Sequence, residues 1–128
     1  MNLDWTVAWQ YRGLLLEGVG VTLLLTIFTM AIAVPGGIVV MLARQSRFAP
    51  LRLAGTAFVE FFRNLPLILL VYWSFYVLPM IVDIQLSPFA TGLVALCLNV
   101  SAYNAETFRA GVNSIRAGQH NAGLALGM

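Results

Sequence analysis

The chain has 128 residues, of which 60% are hydrophobic and only 9% charged, and its formal net charge is +2. A soluble domain usually carries about a quarter charged residues, so this composition indicates a membrane protein. The basic residues are seven arginines scattered along the chain. That distribution excludes the dense basic face of a nucleic-acid-binding protein.

The residue types needed for catalysis are missing or dispersed. There is no lysine for a Walker A phosphate loop, GxxxxGK[ST], so we expect any ATP chemistry to lie on another polypeptide. Cys97 is the only cysteine and His120 the only histidine, which excludes a disulfide framework and a metal cluster. The five carboxylates are scattered, so a paired acid and base is not expected. We therefore predict no catalytic residues, no metal and no cofactor bound by this chain.

The first predicted element is a membrane span over residues 18–43, a charge-free run of 26 residues. At 1.5 Å per residue it would extend about 39 Å, enough to cross a hydrocarbon core. Thr22, Thr26 and Thr29 share one face, where they either line a polar path or, as we favour, bond the backbone or a neighbouring helix. Pro35 predicts a kink.

The second predicted span covers residues 58–79, with its helix extended backward to about residue 54. Four arginines between residues 44 and 63 predict a cytoplasmic loop before it. Glu60 and Arg63, three apart on that helix, can pair at the interface. Pro66 interrupts the pattern, so we expect the helix to bend or restart there.

The third predicted span covers residues 88–108. Ser87 followed by Pro88 is an N-cap with proline at the first helical position. Asn99, Tyr103 and Glu106 recur on one helical face, which is costly in lipid and suggests a translocation path. For Glu106 the alternative is a simple pair with Arg109, and for Asn99 it is helix packing.

The loop charges predict one topology for the whole chain. The N-terminus and the Asp83 loop would lie outside, and residues 44–63 and the C-terminal segment inside. Residues 110–128 follow the last span, contain small side chains at Ala122, Gly123 and Ala125, and reach a natural helix stop at Gly127. This segment is either an ordinary amphipathic surface helix or a docking helix for another protein.

Three blocks of sequence carry a resemblance to a known family: GVGVTLLLTI, FVEFFRNLPLILL and SAYNAETFRAGVNSIRAGQHNAGLALGM. Together they resemble the N-terminal part of polar amino-acid ABC importer permeases of the histidine, glutamine and glutamate/aspartate type. The last block is similar to the cytoplasmic "EAA" loop of that family. Asn121 stands where glutamate is usual, and Gly123 where the second alanine is usual.

The resemblance implies a single transmembrane domain over residues 1–128. Its expected fold is all-α integral membrane, with three transmembrane helices followed by a short cytoplasmic coupling helix, the front part of a five-helix permease. The implied ATPase-coupling residues are Gly118, Gln119, His120, Asn121, Ala122, Gly123, Ala125, Leu126 and Gly127.

The implied function is that of a subunit in the bacterial inner membrane for ATP-driven import of polar amino acids, with glutamate or aspartate favoured by the wording of the motifs. Its implied partners are a cytoplasmic ABC ATPase dimer carrying the ATP, a second identical or similar permease subunit, an extracytoplasmic amino-acid-binding protein and the lipid bilayer. The alternatives are a truncated, transport-inactive membrane fragment, a structural or interaction subunit and, less favoured, a small channel. The amino acid and the identity of the second subunit stay open.

Overall fold

The computed structural model describes residues 5–83, 86–114, 118 and 123–127. Helices make up the regular structure of these residues, and no strand occurs among them. In chain order the helices are α1 (Trp5–Gln10), α2 (Arg12–Gln45), α3 (Ala49–Asn64), α4 (Leu67–Tyr76), α5 (Leu78–Val82) and α6 (Pro88–Ser114). The predicted all-α class is confirmed for this part of the chain.

Helix α2 is the longest element, with 34 residues, and it continues through Pro35. Among the described helices it alone is long and apolar enough to cross a membrane by itself. The Thr22 hydroxyl donates to the Gly18 carbonyl and the Thr26 hydroxyl to the Thr22 carbonyl, both at 2.8 Å. These two threonines therefore bond their own backbone, as we favoured from the sequence.

The second predicted span is a broken helix. Ala49–Asn64 and Leu67–Val82 are together long and apolar enough to span a membrane, but the helix axis bends by 104° between them. Leu65 and Pro66 are extended, with ψ of 131° and 133°. Proline disfavours the helical conformation in the residue before it and lacks an N–H, so the helix ends there. The expected interruption at Pro66 is confirmed.

Helix α6 occupies the third predicted span and begins as expected. The Ala90 amide donates to the Ser87 hydroxyl at 3.2 Å, and the Thr91 amide donates to the Ser87 carbonyl at 2.9 Å. Ser87 is thus the N-cap of α6, with Pro88 at its first position. Because α6 contains more polar residues than α2, it is not apolar enough to be identified as a membrane span by itself. Three membrane crossings therefore stay a prediction.

Small residues form the core where α6 packs on α2. Ala33, Ala95, Ala102 and Ala105 are fully buried, whereas large apolar side chains of α2 such as Leu14 remain 72% exposed. A water-soluble protein buries its large aliphatic residues. Small side chains inside and large ones outside are typical of helices packed in lipid.

Two glycines of α2 lie where these helices cross. A Cβ added at Gly37 would lie 2.6 Å from the Asn104 Cβ, and one at Gly36 would lie 2.8 Å from the Ser101 hydroxyl oxygen. Rotation of the Ser101 side chain relieves the contact at Gly36, whereas at Gly37 the Asn104 Cβ and the backbone of α6 are fixed, so the crossing needs glycine at position 37. Helix α6 is consequently held against α2 at backbone distance.

Candidate functional site

The polar face of α6 meets the broken end of α3. The Asn99 side-chain amide donates to the Phe62 carbonyl at 3.0 Å, and the Tyr103 hydroxyl donates to the Arg63 carbonyl at 3.3 Å. Asn99 is buried, with 9% of its surface exposed. Both acceptors lie in the last turn of α3, where helix carbonyls have lost their intrahelical partners.

The Phe62 carbonyl has a particular need for this bond. In a continuous helix it would accept from the amide four residues on, and that residue is Pro66, which has no N–H. Asn99 supplies the missing donor from another helix. Polar residues of α6 thus stabilise the break between α3 and α4.

Glu106 joins the ends of three helices. Its carboxylate forms ion pairs with Arg44 of α2 and with Arg109 of α6, and the Arg109 Nε lies 3.2 Å from its Oε2. Arg63 of α3 approaches the same Oε2 at 3.9 Å. We call these four residues the Glu106 cluster. One carboxylate shared by three guanidinium groups leaves the cluster with a formal charge of +2.

Burial differs across the Glu106 cluster. The Arg44 and Glu106 side chains are 14% and 23% exposed, whereas Arg63 and Arg109 are 40% and 37% exposed. Charge-assisted hydrogen bonds gain strength as water is excluded, so the contact between α2 and α6 is the strongest of the three. The Glu106 carboxylate also raises the pKa of the Arg109 guanidinium through its hydrogen bond.

The sequence predicted part of this arrangement. The Glu106–Arg109 pair is present. Asn99, Tyr103 and Glu106 all contact the last turn of α3. The Glu60–Arg63 pair that the helix spacing permits is not formed, because α6 offers Arg63 other partners. The Arg63 guanidinium lies over the Tyr103 ring, 5.4 Å from its centroid, as well as near Glu106.

Asn104 is a site residue that the sequence did not single out. Its side-chain amide donates to the Ala33 carbonyl at 3.3 Å, on the face of α6 that packs against α2. The signal that would have found it is the Gly36-Gly37 pair, which marks close approach of a second helix.

The cavity nearest this site lies in the elbow between α3 and α4. Its volume is about 400 Å³, and its lining consists of Phe61, Phe62, Leu65, Leu69, Leu70 and Trp73. Within the part of the chain that the structure describes, no three His, Cys, Asp or Glu side chains converge to hold a metal ion. The site therefore consists of hydrogen bonds and ion pairs between helices, with an apolar recess beside them.

The predicted coupling segment is described only in part. Gln119, His120, Asn121 and Ala122 lie outside the described residues. Gly127 has a φ of 76°, the left-handed conformation expected at a helix stop, and its amide donates to the Leu124 carbonyl at 3.1 Å. The docking role of this segment stays a prediction.

Residues 33–128 match the family described as binding-protein-dependent transport system inner membrane component. The whole chain is 35% identical to the arginine transport system permease protein of Bacillus subtilis, covering 58% of that relative. It is 33% identical to the glutamate/aspartate import permease protein of Escherichia coli O6:H1 over 99% of this chain and 60% of the relative.

A solved structure supports the same relationship. The fold matches a chain from the crystal structure of an amino acid ABC transporter with histidines, with a TM-score of 0.88 and 31% sequence identity. The match covers 100% of this chain and 59% of that one. The chain therefore spans about three-fifths of the length of the proteins it resembles.

Proposed function

The chain belongs to the family of binding-protein-dependent transport system inner membrane components, and on that basis we propose that it is part of the membrane-spanning subunit of an ATP-driven importer of polar amino acids. The observation that carries this proposal is the fold match along the whole chain to an amino acid ABC transporter. The outward-facing large apolar residues of α2 give independent physical support for a place in lipid.

The proposed topology has three crossings of the bacterial inner membrane, with the N-terminus outside and the C-terminal segment inside. Short loops rich in arginine stay on the cytoplasmic side. Arg44, Arg63 and Arg109 meet at Glu106, which supports placing all three helix ends on one side. In this topology α3 begins and ends on the cytoplasmic side, so α2 forms the first crossing, α4 and α5 the second and α6 the third.

The proposed substrate is a polar amino acid. Relatives are named for arginine, for glutamate and aspartate, and for glutamine. Glutamate or aspartate is our preferred substrate because the motifs around Pro66 and in the C-terminal segment most resemble that branch of the family. The proposed route passes the Asn99, Tyr103 and Glu106 face of α6, beside the helix break. Broken helices with freed backbone groups are the places where transporters build their polar sites.

The proposed partners supply what this chain lacks. Two cytoplasmic ABC ATPase subunits bind ATP and dock on residues 118–127 of the C-terminal segment. This chain itself binds no cofactor. A second permease subunit completes the path, and an extracytoplasmic binding protein delivers the amino acid. Closure of the ATPase dimer moves the tail and switches the spans between two arrangements, which is alternating access.

Reconstitution tests this proposal. The full-length subunit would be placed in proteoliposomes with its ATPase and binding protein, and ATP-dependent uptake of glutamate, glutamine and arginine would be measured. We expect accumulation of at least one of them, with glutamate ahead. Failure to accumulate any polar amino acid, with all subunits assembled, would contradict the proposal and favour a transport-inactive membrane component.

A further inference from the structure

The described arginines near the proposed cytoplasmic side fall into two groups. Arg44, Arg63 and Arg109 share the Glu106 carboxylate. Arg47 and Arg52 are exposed, and within the described part of the chain neither side chain forms an ion pair or hydrogen bond. Arg12, at the far end of α2, already donates to the Trp9 carbonyl at 3.3 Å. The junction between α2 and α3 therefore carries two positive charges that no described carboxylate neutralises.

Exposed apolar side chains alternate with these two arginines. Phe48 is 66% exposed, Leu51 48% and Leu53 70%. A cleft of about 330 Å³ runs along this part of α3, lined by Ala49, Arg52, Leu53 and Thr56. A guanidinium and a hydroxyl thus share one cleft with an apolar side chain. We call residues 46–56 the α2–α3 junction.

Local bonds and packing hold the α2–α3 junction in shape. The Ser46 amide donates to the Ala43 carbonyl at 3.2 Å, and the Phe48 amide donates to the Ser46 hydroxyl at 3.1 Å. Gly55 lies against Arg44, since an added Cβ would stand 3.0 Å from the Arg44 Cγ. Helix α3 is thereby fixed against the end of α2, which holds the backbone on either side of the two free arginines.

From this arrangement we infer that the α2–α3 junction binds the phosphodiester headgroup of an anionic phospholipid. The planar guanidinium group matches phosphate oxygens, and Phe48 and Leu53 would contact the acyl region next to it. The inference rests on the proposed function, because it needs this junction at the cytoplasmic leaflet, where anionic lipids attract basic segments beside a membrane helix. In water the apolar side chains would stay exposed, whereas a phospholipid contacts the arginines through its phosphate and the apolar side chains through its acyl chains.

The experiment measures lipid binding to the intact purified chain in detergent. Phosphatidylglycerol and phosphatidylcholine with identical acyl chains would be titrated and bound lipid counted by native mass spectrometry. We expect a preference for phosphatidylglycerol that weakens about fivefold in R47Q or R52Q and about 30-fold in the double variant. R47K/R52K should retain most of the preference. R12Q, which removes an arginine at the opposite end of α2, should leave it unchanged.

Unchanged phosphatidylglycerol binding by R47Q/R52Q, when circular dichroism shows the parent helix content, would overturn the inference. If that variant of the full-length protein also loses ATPase association, the junction is a protein-docking surface instead. Labelling of Ser46→Cys in a Cys97→Ala background separates this inference from the proposed function. Reaction from the outside would refute the topology, whatever the lipid titration gives.

Discussion

Arg44 of α2 and Glu106 of α6 form an ion pair although they are 62 positions apart in the sequence. Arg109 holds the other carboxylate oxygen, and Arg63 of α3 approaches at 3.9 Å. Three helix ends thus depend on one partly buried carboxylate. Loss of this carboxylate would therefore weaken the contacts of α6 with both α2 and α3.

The first prediction concerns the Glu106 cluster. Glu106→Gln should lower the free energy of unfolding by about 2 kcal/mol, because it removes charge-assisted hydrogen bonds and leaves the largely buried Arg44 without a counter-charge. Unfolding of the detergent-solubilised chain by SDS measures this. Glu60→Gln is the matched control, since Glu60 is exposed and unpaired among the described residues, and it should change stability by less than about 0.5 kcal/mol. Equal effects of the two variants would contradict the role of the cluster.

The second prediction concerns the crossing of α2 and α6. Gly37→Ala should destabilise the chain by about 1–3 kcal/mol, because the new methyl group would overlap the Asn104 Cβ. Gly20→Ala lies in the same helix with no atom within 4 Å of the added Cβ, and should be neutral or slightly stabilising. The two variants are compared in the same SDS titration. If Gly37→Ala leaves the free energy of unfolding unchanged, the two helices do not approach as closely as described.

The third prediction concerns the helix break. Asn99→Leu leaves the Phe62 carbonyl without its donor, so we expect a loss of about 1–3 kcal/mol in stability. In a Pro66→Ala background the backbone regains an N–H at position 66, and the cost of Asn99→Leu should shrink. A double-mutant cycle of the two substitutions measures this coupling. Strictly additive costs would show that Asn99 does not compensate for the proline.

Uptake by the Asn99→Leu variant separates packing from transport. If the polar face of α6 lines the route, transport or substrate preference should change more than the loss of stability accounts for. Unchanged uptake and preference in the full-length protein would leave Asn99 with a packing role alone.

The fourth prediction concerns the stop at Gly127. Its φ of 76° disfavours a β-branched side chain, so Gly127→Val should disturb the end of the tail and reduce transport by the full-length protein. Gly127→Asn should be milder, because asparagine tolerates the left-handed conformation. Transport and ATPase association are measured separately. If Gly127→Val changes neither, this segment does not couple the ATPase to the spans.

The features predicted correctly from the sequence are local ones. Ser87-Pro88 specifies the start of α6 through its own hydroxyl and fixed φ, and Pro66 ends α3 through the missing N–H. Arg44–Glu106 lay beyond such reasoning, because no local pattern places residues of α2 and α6 together. The Glu60–Arg63 pair is absent for the same reason. Helix spacing made it available, but Arg63 contacts the Tyr103 ring and the Glu106 carboxylate of α6 instead.

The hydrogen bond between Asn99 and Phe62 could be predicted only in part from the sequence. The sequence identified the break at Pro66 and the polar residue Asn99 separately. Their connection through the Phe62 carbonyl depends on the packing of α3 against α6, which neither residue specifies alone.

Accessibility of two introduced cysteines tests the central claim, that the Glu106 cluster and the tail face the cytoplasm. Ser114→Cys and Asp83→Cys, each in a Cys97→Ala background, would be treated with a membrane-impermeant maleimide in right-side-out and inverted vesicles. We predict that the cysteine at position 114 reacts only in inverted vesicles and the one at position 83 only in right-side-out vesicles. Reaction of position 114 from the outside would contradict the account.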